Sequence, residues 1–159
     1  RSIKERYEKV FDNNGKKSYQ NYLERSIIEQ KLLELDSKLT KKTKVAVITG
    51  YGPQKYILQT MVKQHSYKNL EIDVDTVDAF QGSQKDIILY STVRSSANKY
   101  GIGFLKSEAR INVAFSRARC LLIIVGDMNF LDNYRIRGNK FPEIIKYIKE
   151  SEGCRIIEE

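Results

Sequence analysis

The chain has 159 residues, of which 28 are lysine or arginine and 20 are aspartate or glutamate, so its formal charge is +8 and its pI is about 9.4. This length suffices for one domain with a buried core, and two cysteines without metal-site spacing exclude a disulfide framework and a zinc site. No stretch approaches the roughly 18 apolar residues that a membrane helix needs. We therefore expect a soluble, intracellular, cytoplasmic protein whose thiols are reduced and either buried or in the tail.

The positive charge favours a polyanionic partner, although scattered lysine runs are also typical of an ordinary solvated surface. Because the chain starts at Arg1 and not at methionine, we expect it to be a fragment of a longer protein. Residues 1–20 are polar and lysine-rich, and they are predicted to form a partly ordered lead-in to a domain over residues 21–159.

The first predicted unit is helix, strand, turn and helix. Apolar residues recur at helical spacing from Tyr22 to Leu39, and a short β-branched strand follows from Lys44 to Thr49. The strand ends at a glycine-rich turn, GYGP, after which helical spacing resumes from Gln54 to His65.

Three further strands are predicted, over Glu71–Val77, Asp86–Val93 and Leu121–Val125. Nearly continuous apolar strands are typical of an α/β fold, in which helices cover both faces of a mostly parallel sheet. Only about eight residues connect the first two, fewer than a parallel crossover with a full helix requires. Either these strands are antiparallel neighbours, or a single short turn of helix makes a compressed crossover.

A helix that carries arginines is predicted directly before the last of these strands. At about 100 degrees per residue, Arg110 and Arg117 share one face of this helix and Arg119 points away. Further along, Phe141–Lys149 is predicted to be a helix and Cys154–Ile157 a final strand.

Three segments carry a resemblance to a known family: VITGYGPQ at 47–54, VDTVDAFQGSQKDIILYSTVRS at 74–95 and GFLKSEARINVAFSRARCLLIIVGD at 103–127. In this order and spacing they resemble the second RecA-like domain of superfamily 1 helicases, of the group that contains the nonsense-mediated-decay helicase and senataxin. The resemblance covers roughly residues 20–135. It implies a P-loop NTPase fold that lacks its own phosphate-binding loop.

The resemblance implies a role for Arg117 in particular. A helicase closes two RecA-like domains around ATP, and the first supplies the phosphate-binding loop and the Mg²⁺ ligands. The second supplies an arginine finger, which stabilises the charge that develops on the transferred phosphoryl group, and Arg117 matches that residue. Arg110 is predicted either to assist or to pair with an acidic neighbour.

The segment AFQGSQKD is expected to contribute to the nucleotide site. Gly82 permits close approach of the backbone to a ligand, while Gln81 is expected to orient the turn. Gln84 stands where the family usually has a glutamate that contacts ATP. Glutamine keeps the hydrogen-bonding ability of that residue and loses its charge.

A second group of residues is expected to bind nucleic acid, because ligands of open α/β sheets lie at the carboxyl ends of the strands. By resemblance, Thr76, Thr92 and Arg94 contact the backbone of the nucleic acid. Thr49 and Tyr51 occupy the family's threonine-proline-tyrosine segment, in which Gly50 replaces the proline. Tyr51 is predicted either to stack on a base or to pack on the domain surface.

The sequence contains no GxxxxGK[ST] loop and no acidic magnesium-binding strand, so the isolated chain is expected not to hydrolyse ATP. We expect the monomeric C-terminal motor domain of an ATP-dependent helicase. ATP and Mg²⁺ would be held mainly by the N-terminal RecA-like domain of the same protein, and the track would be single-stranded RNA or DNA. The alternative is a non-catalytic nucleic-acid-binding or scaffold module with the same fold.

Overall fold

The computed structural model describes residues 9–13, 16–80, 82–95, 102–133 and 135–157. Its strands and helices follow in chain order as β1 (Lys9–Asn13), β2 (Lys16–Gln20), α1 (Tyr22–Lys38), β3 (Thr43–Thr49), α2 (Gly52–Lys63), β4 (Leu70–Thr76), β5 (Lys85–Ser91), α3 (Glu108–Phe115), β6 (Ala118–Val125), α4 (Met128–Leu131) and α5 (Phe141–Glu150). Two short 3-10 helices lie at Val77–Phe80 and Gly103–Lys106. β3 to β6 form a four-stranded parallel sheet in the order β4-β3-β5-β6.

Helix α1 begins at a side-chain cap. The Asn21 carboxamide oxygen accepts hydrogen bonds from the backbone N–H groups of Leu23 and Glu24, each at 3.1 Å, which satisfies two donors that have no partner within the helix. Along the helix, Ile28 and Leu32 are fully buried against the sheet. The cap and the apolar stripe therefore fix both the start and the orientation of α1.

The short connection between β4 and β5 is a compressed crossover. Both strands pair in parallel with β3, which lies between them, and the 3-10 helix Val77–Phe80 makes the turn. Of the two predicted alternatives, the antiparallel pair is therefore wrong and the crossover is confirmed. In this register Thr49 lies opposite both Thr76 and Ser91, so three strands end at one level.

Helices cover both faces of the sheet, as the sequence predicted. One apolar cluster joins α1 and α2 to one face, and a second joins α3, α4 and α5 to the other. Strand β6 departs from this pattern, because it is the edge of the sheet and Leu121 is 41% exposed. Cys120 and Cys154 are exposed as well, so the expectation of a buried thiol is wrong for Cys120.

The structure differs from the predicted elements at three places. β1 and β2 form an antiparallel hairpin, which the prediction of a partly ordered lead-in did not contain. Cys154–Ile157 forms no strand. Helix α3 ends at Phe115, so Arg117 follows the helix in a turn and shares no helix face with Arg110. A search of the described residues for a helix long and apolar enough to cross a membrane found none.

Two adjacent leucines of α1 test the packing of this helix. We expect Leu32→Ala to lower the free energy of unfolding by about 2–5 kcal/mol, because Leu32 is fully buried and its truncation leaves a cavity. Leu33→Ala is the matched control, since Leu33 is 43% exposed and a surface substitution changes stability by about 0.5 kcal/mol. Urea denaturation of both variants measures the difference, and equal losses would contradict the packing of α1.

Candidate functional site

The predicted functional residues lie at two opposite edges of the parallel sheet. Gly82, Gln84 and Arg117 precede the first residues of β5 and β6, so they lie at the amino edge. The residues predicted to contact nucleic acid lie at or just beyond the last residues of β3, β4 and β5, at the carboxyl edge: Thr49, Tyr51, Thr76, Thr92 and Arg94. The structure thus separates the predicted nucleotide residues from the predicted nucleic-acid residues.

Arg117 is fixed to the amino edge by its backbone. Its carbonyl oxygen accepts a hydrogen bond from the N–H of Lys85 at 3.0 Å. The side-chain Nε donates to the carbonyl oxygen of Val113 at 3.1 Å, and Nη2 donates to Oγ of Ser116 at 3.2 Å. Within the described part of the chain no carboxylate lies within ion-pair distance of this guanidinium.

Arg110 and Arg119 are engaged in ion pairs, in contrast to Arg117. Arg110 binds the carboxylate of Asp78 through Nε at 3.2 Å and Nη2 at 3.4 Å, and its guanidinium lies 4.2 Å from the ring centroid of Phe104. Nη1 of Arg119 lies 3.9 Å from Oδ1 of Asp86. For Arg110, this arrangement supports the predicted pairing with an acidic neighbour.

The turn before β5 is open to solvent. Gly82 has a φ of +87°, and apart from its chain neighbours no described residue has an atom within 4 Å of the position that a Cβ would occupy. The exposed side chain of Gln84 accepts a long hydrogen bond, 3.5 Å, from Nε of Arg119. Gln81, predicted to orient this turn, lies outside the described residues. Gly82 and Gln84 therefore offer a backbone surface and a neutral side chain next to Arg117.

No part of the described chain brings together three or more His, Cys, Asp or Glu side chains that could hold a metal ion. The acidic residue that follows β6 has a structural task. Asp127 is the N-cap of α4, and its carboxylate accepts a hydrogen bond from the N–H of Phe130 at 3.2 Å.

At the carboxyl edge most of the predicted side chains are buried. Thr49 and Thr92 are fully buried, and Arg94 and Tyr51 are 1% and 7% exposed, whereas Thr76 is partly exposed. The four buried side chains thus pack beneath the surface of the carboxyl edge in this structure. Their direct contact with nucleic acid stays a prediction. The hydroxyl of Thr49 has no hydrogen-bond partner among the described residues.

Tyr51 packs inside the domain. Its ring makes an edge-to-face contact with Tyr19 at a centroid distance of 5.3 Å and a tilted contact with Phe104 at 5.8 Å. The phenolic oxygen accepts a hydrogen bond from the N–H of Phe104 at 3.2 Å. Burial raises the pKa of Tyr51, although the Phe104 N–H and Arg94 oppose the shift. Of the two predictions for this residue, the contacts support packing.

A buried carboxylate that was not predicted from the sequence organises this edge. Glu24, in the first turn of α1, accepts hydrogen bonds from Oγ of Ser91 at 2.6 Å, from Oγ1 of Thr92 at 3.2 Å and from the N–H of Val93 at 2.9 Å. Burial raises the pKa of Glu24 to about 7, and the three hydrogen bonds oppose the shift. Asp127 adds a smaller increase by charge repulsion.

The carboxylate also holds an unusual backbone conformation. Val93 has a φ of +68°, in the left-handed region that a β-branched residue avoids, at a cost of about 1–3 kcal/mol. Its N–H donates to Glu24, and its carbonyl accepts from Nδ2 of Asn21 at 3.2 Å. Gln54 extends the network, because its Nε2 donates to Oγ of Ser91 at 3.0 Å. The start of α1 thus sets the path of the chain after β5.

One sequence signal could have revealed part of this network. Asn21 and Glu24 have the N-x-x-E spacing of a capping box, in which the acidic side chain usually returns to the N-cap residue. Here Asn21 caps the helix and Glu24 turns to β5 instead. The contact between Glu24 and the end of β5 becomes visible only when α1 is packed on the sheet.

Arg94 follows Val93 and is enclosed by aromatic groups. Its guanidinium lies 4.1 Å from the ring centroid of Tyr19, which is a stacking distance. Gly103 closes the other side with a φ of +60°, and a Cβ at this position would collide with Nη1 of Arg94 and lie 2.9 Å from the oxygen of Tyr51. The 3-10 helix Gly103–Lys106 therefore begins in direct contact with the carboxyl edge.

Glu24 gives a test through pH. The carboxyl pKa is 4.5 without the fold and about 7 within it, so between these values the folded state binds more protons. Stability therefore falls as the pH rises from about 4.5 to about 7, by about 3 kcal/mol. Below this window the group is neutral in both states, and above it the group is charged in both. We expect Glu24→Gln to remove this loss, as measured by urea denaturation at pH 5 and pH 8.

The control for the pH test is Glu71→Gln, because Glu71 is an exposed carboxylate of β4. This variant should keep the pH dependence of the wild type. If Glu24→Gln kept it too, Glu24 would not be the buried titrating group.

Comparison with known proteins places the chain in a family. A family model described as an AAA domain matches residues 3–129. The regulator of nonsense transcripts 1 homolog of Neurospora crassa is 39% identical over 125 residues, which cover 75% of this chain and 11% of that protein. An uncharacterized ATP-dependent helicase of Methanocaldococcus jannaschii is 38% identical over 124 residues, which cover 77% of the chain and 17% of the relative.

A third relative is the probable helicase senataxin of Mus musculus, which is 39% identical over 116 residues, 72% of this chain and 4% of that protein. The chain thus spans between 4% and 17% of the length of these three relatives. The match to the AAA domain family covers most of the chain, and it includes both edges of the sheet. The chain therefore belongs to this AAA domain family, and its predicted resemblance to the second RecA-like domain of superfamily 1 helicases, of the nonsense-mediated-decay and senataxin group, is confirmed.

Proposed function

We propose that this chain is the C-terminal motor domain of an ATP-dependent helicase. In this role it supplies the arginine finger, Arg117, and part of the surface that binds single-stranded RNA or DNA. ATP hydrolysis in the cleft against an N-terminal RecA-like domain would drive translocation and unwinding. The family membership and the helicase relatives support this proposal, and the state of Arg117 is the observation on which it mainly rests.

The charge of Arg117 is available to a ligand. Arg110 is bound to Asp78, and Arg119 lies near Asp86, so both charges are partly neutralised within the domain. The guanidinium of Arg117 contacts only a carbonyl and a hydroxyl oxygen among the described residues. An arginine finger needs a charged guanidinium that is positioned in advance, because it stabilises charge that appears only in the transition state.

The residues around Arg117 fit one side of a nucleotide site. The exposed carboxamide of Gln84 can form hydrogen bonds, and Gly82, which has no side chain, permits close approach of a ligand. Bound ATP and Mg²⁺ would supply the phosphoryl group and the charge neutralisation that hydrolysis requires. This chain would orient the nucleotide through Gln84 and place Arg117 against it, while the N-terminal domain would hold the phosphates and the metal ion.

The carboxyl edge is the proposed side for nucleic acid. Thr76 is partly exposed there, and the buried network of Glu24 fixes the backbone from Ser91 to Arg94. This network keeps the backbone at the strand ends in one conformation, and the hydroxyl of Thr76 can donate a hydrogen bond to a phosphate there. The charge of +8 supports a polyanionic ligand.

Arg117→Ala in the full-length protein tests the arginine finger. We expect the ATPase rate in the presence of single strands to fall by about 10³–10⁵, because an arginine finger contributes about that factor to phosphoryl transfer. Nucleic-acid affinity should change little, since Arg117 lies at the opposite edge from the proposed track. Steady-state ATPase assays and anisotropy titrations measure the two effects.

Arg119→Ala is the control, because Arg119 is two residues further along, lies near Asp86 and makes only a long hydrogen bond, 3.5 Å, to Gln84. It should keep the ATPase rate of the wild type. The finger assignment fails if folded Arg117→Ala hydrolyses ATP at the wild-type rate. A full-length wild type that binds single strands without any ATPase activity would instead favour the non-catalytic binding module.

A further inference from the structure

The loop between α4 and α5 is basic and well anchored. The carboxamide of Asn139 donates to the carbonyls of Leu131 at 2.7 Å and Asn133 at 3.1 Å, and it accepts from the N–H of Phe141 at 3.0 Å. Ile136 is partly buried against the apolar cluster of α3, α4 and α5. Arg135 and Arg137 flank this anchor and are exposed, so a fixed backbone carries two solvent-facing cations.

A lysine from another element completes the group. Gly138 has a φ of +78°, and a Cβ at this position would lie 2.8 Å from Cε and 3.1 Å from Cγ of Lys106. The positive φ favours glycine at residue 138, and the alkyl chain of Lys106 lies over the space that a Cβ would occupy. This contact places the end of the 3-10 helix Gly103–Lys106 next to the loop. Lys106, Arg135 and Arg137 are called the basic surface below.

The charges of the basic surface are not neutralised within the domain. None of its three side chains has a carboxylate partner among the residues that the structure describes. The neighbouring Lys140 behaves differently, because its Nζ lies 3.7 Å from Glu108 and 3.5 Å from Glu143. Within the described ranges, three cations without a carboxylate partner thus lie beside Lys140, which is paired twice.

The basic surface is continuous with the carboxyl edge of the sheet. Gly103, at the start of the 3-10 helix, packs against Arg94 and Tyr51, and Lys106 is the last residue of the same helix. A 3-10 helix rises about 2 Å per residue, so these two positions are about 6 Å apart along its axis. Gly103 and Lys106 are both exposed, so a strand that passes over Gly103 at the carboxyl edge would meet Lys106 next and the loop after it.

We propose that the basic surface binds the phosphate backbone of the single strand and extends the nucleic-acid site beyond the strand ends. This inference rests on the proposed function, since it assigns a further contact for the same track. Side chains on phosphates position a strand without reading its sequence, so the contribution should be independent of base composition.

The test uses the full-length protein and a labelled single strand of one base type. We expect the triple variant Lys106→Gln, Arg135→Gln, Arg137→Gln to reduce the slope of log K against log salt by about 2, because each phosphate contact on a single strand contributes about 0.7. Affinity should then fall about a hundredfold at 0.1 M salt and recover near 1 M, on strands of either U or A. Each single variant should lose about one third of the slope change.

Lys140→Gln is the matched control, because it removes one charge from the same loop at a paired position. It should bind single strands with the wild-type slope. Thermal unfolding checks that all variants fold, and Lys140→Gln should keep the ATPase activity of the wild type without nucleic acid.

The inference is overturned if the folded triple variant binds single strands with the wild-type slope. It is also overturned if the triple variant binds single strands like the wild type but no longer binds polyglutamate, a second probe. That result would assign the basic surface to an acidic peptide. A wild type that binds no single strands contradicts the proposed function itself, and this result is distinct from both others.

Discussion

The carboxyl edge of this domain depends on one buried acid. Glu24 joins the first turn of α1 to three consecutive residues at the end of β5, and its hydrogen bonds hold Val93 in a conformation that the residue avoids on its own. A charge in an apolar interior is costly unless donors surround it, so the position of α1 and the path after β5 are stable only together. Tyr51, Arg94 and Gly103 pack around that path.

The arginines show how the same side chain acquires different tasks. Arg94 is stacked on Tyr19 and buried, Arg110 is bound to Asp78, and Arg117 has no ion partner in the described part of the chain. A guanidinium that is buried or ion-paired holds neighbouring groups in place. One without a carboxylate partner can still attract an anionic ligand. Local geometry therefore separates structural arginines from those available for chemistry.

The sequence predicted the parallel sheet and its helices because apolar periodicity reports burial directly, as in α1 and β5. Prediction from the sequence failed where contacts between distant residues determine the end of a helix or the burial of a side chain. Helical periodicity in the sequence continues from Arg110 through Arg117, yet α3 ends at Phe115. The chain turns at Ser116, and the carbonyl of Arg117 accepts a hydrogen bond from Lys85 at the start of β5. No role was predicted for Glu24, because the groups that donate hydrogen bonds to it lie 67 to 69 residues away in the sequence. The burial of Tyr51 depends likewise on Tyr19 and Phe104, which are distant in sequence.

Strand β5 has a mechanical consequence. Its first residue is hydrogen-bonded to Arg117, its last is held by Glu24, and partners flank it on both sides. Seven residues of strand span about 23 Å, and a strand bonded on both sides neither stretches nor bends readily. The residues before β6 and those after β5 therefore keep a fixed separation, and a ligand that displaced Arg117 would have to move the sheet as one body. The amino edge and the carboxyl edge are thus joined by one continuous strand.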